Sequence, residues 1–288
     1  MNCVNESLTF FPGAQTHRSN QILSELKIAL NQVPETEMKA WAKRSVKRLG
    51  RTTKVRAKNL ANIILRIGKV SYKESIQALK AYRQGDIDGH MRMRGIAFSH
   101  AAEEKISTLG FAIKDYASLV PKLATHPKEA APVLFGSALG FLVGSGGLDG
   151  DGGIPDLDLK LGIGFHRSIL THSILAGAFF ESVIFSILDL TNVAYDHIPK
   201  RHDPIWDSLK PVSARFADSL TRGTDAGIAL HLGIDGSIDG MTPFKDLPIH
   251  LSLAGHQAIL GINAVAEAVE ATSERPRGDD EKSERRKK

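Results

Sequence analysis

Apolar residues along the chain recur at spacings of three and four rather than two, and no Asn-Gly hairpin signal separates alternating runs. This pattern predicts helices and few strands. Met38, Trp41, Ala42, Ser45 and Leu49 fall on one helical stripe, while Lys39, Lys43 and Lys47, joined by Arg44, Arg48 and Arg51, crowd other faces. Leu60, Ile63, Ile64 and Ile67 form a second stripe, which Gly68 is expected to end. The stretches 71–84 and 96–119 repeat the pattern, so the front of the chain reads as several amphipathic helices.

The middle changes texture. Residues 130–148 are small and apolar, 174–188 are apolar around a central Glu181, and 249–269 carry His250, His256 and Glu267 within an apolar run. A bilayer-spanning helix needs about 20 apolar residues with few charges. These runs are interrupted, so they are expected to be buried or membrane-apposed helices. Their Gly, Ala and Ser residues allow backbones to approach closely. The Gly-rich acidic stretch 144–158 and the segment 195–211, with Pro199, Pro204 and Pro211, are expected to be loops. The fold class expected is all-α: a helical bundle with a basic N-terminal helical extension.

Charge divides the chain more sharply than composition does. Residues 1–118 carry 20 basic and 10 acidic side chains, whereas 119–270 carry 10 basic and 17 acidic ones together with eight of the eleven histidines. Three regions follow: a basic helical region at 1–118, a His- and Asp-rich helical domain at 119–270, and a charged tail at 271–288, expected to be disordered. The single Cys3 excludes an internal disulfide and a thiolate zinc site. The first residues lack a basic segment followed by an apolar one, so no secretory signal is expected and a cytoplasmic setting is the default.

Four stretches of the acidic half hold candidate chemistry. His231 and Asp235 stand at i and i+4, which places an imidazole and a carboxylate on one helix face among apolar and glycine neighbours. His166 and His172 flank Arg167, Ser168 and Thr171. Six residues apart, the two rings lie about 240° apart on a regular helix, so they can converge only if one sits in a turn. Ser168 is the expected N-cap, leaving His166 in that turn and His172 within the helix. Arg167 is then placed to fork a phosphate oxygen. Asp156 and Asp158 follow Pro155 and share one side of an extended segment. His126 precedes Pro127 at the start of the acidic half. Together these donors suffice for one zinc or a small cluster of divalent ions, with no soft ligand among them.

In this order the residues resemble the YdjM-like family of inner-membrane-associated, LexA-binding-type metal-dependent hydrolases, grouped with the all-helical zinc phospholipase C and nuclease superfamily. The matching pieces are Thr125-His126, Pro155-Asp156-Leu157-Asp158, His166-Arg167 with Thr171-His172-Ser173, Gly227 with His231 and Asp235, then Thr242-Pro243-Phe244 and Leu247-Pro248. The resemblance covers somewhat under half of the chain, and residues 1–118 lie outside it. It implies His126, Asp156, His166, His172, His231 and Asp235 as ligands, with Asp158 beside them.

The function expected is metal-dependent hydrolysis of a phosphoester, with a phospholipid at a membrane surface as substrate. Zinc is the first expectation for the metal, manganese or magnesium if carboxylates dominate. Asp158 or Asp156 is expected to orient or deprotonate the attacking water and Arg167 to stabilise the developing charge. Lys39, Lys43, Arg44, Lys47, Arg48 and Arg51 are expected to bind phosphate or an anionic surface. Two alternatives stand beside this: a nuclease that grips nucleic acid with the same basic helices, and a regulatory binding protein whose metal is structural.

Overall fold

The computed structural model describes residues 12–86, 88–90, 92–93, 118–147, 153–156, 168, 170–237 and 252–273. It is all-α, with no strand among the described residues. The helices are α1 (Pro12–Gln32), α2 (Glu35–Arg83), α3 (Pro127–Ser145), α4 (Ile174–Tyr195), α5 (Ile205–Ser237) and α6 (Leu253–Thr272). α5 is the central helix: α3 and α6 pack along it, α4 lies against it, and α2 packs mainly on α4 and also touches α6.

The contact between α3 and α5 is made by glycines. A Cβ on Gly140 would stand 2.0 Å from the Leu220 carbonyl oxygen, and one on Gly144 would stand 2.2 Å from that of Thr224. From the other side, a Cβ on Gly223 would meet the Ser137 carbonyl at 2.2 Å, and one on Gly227 that of Phe141 at 2.4 Å. Only backbones free of side chains fit at this separation. The close approach read from the small-residue content is therefore realised between these two helices. At the outer end Phe135 stacks on Phe216, with centroids 6.1 Å apart.

α2 is one helix of 49 residues, about 74 Å long. Gly68 does not end it. Nothing lies within 4 Å of the Cβ that Gly68 lacks, so the residue sits on an open helix face. The stop comes at Gly85, whose φ of 75° is left-handed and whose neighbour Asp86 donates its N–H to the Ala81 carbonyl. The face turned to the bundle includes Met38, Trp41, Ser45, Arg48, Arg56 and Asn59, and differs from the sequence stripe in leaving Ala42 and Leu49 exposed. Trp41 Nε1 donates to the Ser186 carbonyl at 2.8 Å. Arg48 reaches Asp189 at 2.6 Å and lies over the Phe185 ring.

Arg56 is the deepest of these residues, 1% exposed. Its guanidinium meets Glu181 of α4 at 2.6 Å, Asp225 of α5 at 3.1 Å and Glu267 of α6 at 2.8 Å. Gly177 makes room for it, since a Cβ there would come within 2.3 Å of Nη1. Burial alone lowers the Arg56 pKa, and the three carboxylates more than reverse that, so the cation is firmly held. One turn later on α2, Asn59 donates to Glu270 of α6 at 2.7 Å. A basic residue of the 1–118 region thus completes the core of the helices that follow.

α1 is joined to the start of α5 by Glu25, which accepts from the Trp206 indole and the Asp203 amide, and by a two-pronged contact of Arg18 with Asp203. Hydrogen bonds from Arg18 and from the Ile205 amide hold the Asp203 pKa down at about 2. The loop expected over 195–211 is shorter, because α5 begins at Ile205 and contains Pro211.

Candidate metal centre

The donors come together where α3 ends, α4 begins and α5 approaches its C-terminus. α3 closes on Gly146, with φ 83°. The chain returns at Gly153, φ 78°, whose missing Cβ would lie 2.6 Å from the Gly146 nitrogen. Ile154 then donates its N–H to the Val143 carbonyl at 3.0 Å. Gly153 and Ile154 are thereby fixed to the end of α3, and Asp156 follows two residues later, near His231 of α5.

His172 precedes α4 and is not inside it. The N-cap is Ser173, whose Oγ accepts from the Leu175 amide, in place of the expected Ser168. Ser168 has another part: its carbonyl accepts the His172 N–H at 2.9 Å and the Thr171 N–H at 3.2 Å. A turn therefore presents the imidazole, and its ring is fully buried. His231 and Asp235 project from one face of α5, as their spacing requires, and both are buried.

The Asp156 carboxylate lies 3.9 Å from Nε2 of His172 and 3.9 Å from Nε2 of His231. The Asp235 carboxylate lies 3.5 Å and 3.7 Å from the same two nitrogens. The rings of His172 and His231 face edge to plane, with centroids 5.7 Å apart. Donor atoms of Asp156, His172 and His231 all lie within 4.8 Å of one another, and these three residues can hold a metal ion.

The outward-facing ring nitrogens have partners that direct Nε2 inward. Nδ1 of His231 is 3.4 Å from the Ser145 carbonyl, which only accepts, so the proton sits on Nδ1. Its Nε2 is buried and makes no hydrogen bond among the described residues. Nδ1 of His172 is 3.0 Å from the Thr171 hydroxyl, whose oxygen is also within reach of the Ser168 carbonyl at 3.4 Å. A proton on this Nδ1 leaves the Nε2 lone pair facing the carboxylates. Such carbonyl and hydroxyl partners orient imidazole ligands in metal sites generally.

The remaining candidates fall elsewhere. His126 is exposed at the start of α3, with its ring on the Thr125 hydroxyl. The 19 residues of α3, about 28 Å of helix, separate it from Ser145 and the centre, so it is not a ligand here. His166, Arg167 and Asp158 lie outside the described residues. Of the six basic candidates, Lys39, Lys43, Arg44, Lys47 and Arg51 are exposed on α2, Lys39 in a surface pair with Glu35, whereas Arg48 is turned onto Asp189.

Among the described residues the apolar runs of the middle fall on helices α3, α4 and α6. One of them, α4, is long and apolar enough to cross a membrane, with a third of its most apolar window buried. Glu181, the charge that interrupts it in sequence, is turned inward onto Arg56. Compared with family models, curated proteins and solved structures, the chain matches none.

Proposed function

We propose that the protein is a metal-dependent hydrolase of phosphoesters, working at a membrane surface. The observation that carries the reading is the convergence of Asp156, His172 and His231, with Asp235 between the two imidazoles, on one buried point. The donor set fits zinc. Tetrahedral ligands at 2.0–2.1 Å from zinc stand about 3.4 Å apart. The 3.9 Å separations of Asp156 from the two imidazoles need only a small contraction, and three protein ligands would leave a position for water, with Asp235 beside them.

A divalent ion held there would polarise a phosphoryl oxygen and bring the pKa of a coordinated water down toward about 7. The chain's own part is to hold and orient. Ser145 fixes the His231 tautomer, Thr171 supports His172, and the buried setting keeps bulk water from the donors. The roles expected of Asp158 and Arg167 rest on the sequence. For Arg167 this is its place between His166 and His172; for Asp158 it is the carboxylate pair with Asp156 and the resemblance.

Elemental analysis of the purified protein, followed by assays on generic phosphomonoesters and phosphodiesters, tests the proposal. His231→Ala and Asp235→Ala are each expected to lose the metal and the hydrolysis together. Unchanged metal stoichiometry in both variants would defeat it.

The exposed cations Lys43, Arg44, Lys47 and Arg51 on α2 support an anionic partner, worth about 1 kcal/mol each near a charged bilayer. Nucleic acid is the second reading. Trp41, the aromatic residue among these cations, is bonded inward to Ser186 and cannot stack on bases, which favours the bilayer. Flotation with anionic vesicles and gel shift with single-stranded DNA separate the two.

A further inference from the structure

The first N–H groups of a helix have no partner within it and must find one elsewhere. At the start of α4 the Leu175 amide goes to Ser173, but the Ile174 amide goes to a distant residue, donating at 3.0 Å to Oδ1 of Asn263 on α6. Asn263 is 5% exposed, and its Nδ2 donates to the Ile259 carbonyl at 2.9 Å. The amide is thus oriented unambiguously, since only Oδ1 can accept an N–H and only Nδ2 can satisfy a carbonyl.

Ile174 stands two residues after His172. Between them Ser173 is extended, with φ −137° and ψ 176°. The backbone that carries the imidazole is therefore held on both sides, by the Ser168 carbonyl before it and by Asn263 after it. Asn263 belongs to α6, which packs along α5, the helix that carries His231 and Asp235. One turn further, Glu267 is locked by Arg56.

We propose that Asn263 is a positioning residue for the metal centre: it fixes the start of α4 against the α5–α6 pair, so that the His172 imidazole meets His231 and the two carboxylates. The inference rests on the metal-binding reading above. It assigns Asn263 no contact with the ion or with substrate.

The test compares Asn263→Leu, which removes the acceptor, with Asn263→Asp, which keeps it. Both are titrated as full-length protein with Co2+ and Zn2+. The Leu variant should keep its helicity and lose 10- to 100-fold in affinity, the range found when partners behind a ligand are removed. Its visible Co2+ absorption should shift, and exchange of the Ile174 amide with solvent should accelerate. The Asp variant should stay within a few-fold of wild type.

Wild-type affinity and an unchanged Co2+ band in the Leu variant would overturn the role, as would an equal loss in the Asp variant. Where the Leu variant does not fold, Asn263→Ala is read by the same criteria. A wild-type protein that takes up neither ion removes the centre, and this role with it, whereas wild-type uptake beside an unaffected Leu variant removes the role alone.

Discussion

At the scale of the residue, the most consequential side chain outside the metal centre is Arg56. Two of its partners, Asp225 and Glu267, have no exposed surface, so removing the cation strands buried carboxylates. Arg56→Met is expected to cost about 3–5 kcal/mol in urea unfolding, and adding Glu267→Gln to that variant should recover part of the loss. Burial, reinforced by Asp225 and Glu270, pushes the Glu267 carboxyl well above its ordinary 4.5 against the pull of Arg56. The folded protein then holds a proton that the unfolded chain releases, and stability falls as pH rises from that ordinary value through the folded one. Glu267→Gln should remove this slope. Its thermal midpoint should gain on wild type as pH rises above 4.5, and parallel curves would refute the assignment. The sequence made part of this scale legible. His231 and Asp235 were readable because four residues of helix place two groups on one face whatever surrounds them. Arg56 was not, because in a run of nine basic residues nothing local marks the one that faces three carboxylates from helices more than a hundred positions away. Asn263 was hidden for the same reason: its partner is a single backbone amide 89 residues distant.

At the scale of the element, the glycines divide by surroundings. Gly140 is held against the Leu220 carbonyl, so Gly140→Ala must push α3 from α5 and should destabilise by about 1–3 kcal/mol or more. Gly68 lies on an open face of α2, where Ala is the better helix former, and Gly68→Ala should stabilise by up to about 1 kcal/mol. Denaturant midpoints of opposite sign check both at once. The apolar spacing foretold the helices themselves, since period and composition are local properties. Their ends were less legible. Gly68 resembles a stop but lacks the left-handed turn that Gly85 supplies, and Ser168 resembles a cap but serves a turn ahead of the real one, Ser173. His126 was grouped with the ligands by order along the chain, yet the length of α3 alone keeps it from them.

At the scale of the whole molecule, the basic front and the acidic middle are joined through Arg56, Arg48 and Trp41, so part of the charge that marks 1–118 in sequence is spent inside the bundle. The remaining exposed cations on α2 are those available to a partner. Metal binding at the junction of α3, α4 and α5 should stabilise the fold. With the ion at 100 times its dissociation constant the gain is about 2.7 kcal/mol, so chelation should lower the thermal midpoint by roughly 5–10 °C. Far-UV circular dichroism should stay helical after chelation, because the Arg56 cluster and the glycine contact do not involve the ion. Loss of helicity would instead mark a structural metal. The tight seam between α3 and α5 also bears on how an ion enters and leaves. Asp156 is tied to the end of α3 and His231 and Asp235 ride on α5, so three donors travel as a single slab, while His172 alone is mounted on the turn ahead of α4. Exchange of an ion bound there would then need only one imidazole to withdraw, at a rate set by how firmly that one mooring holds.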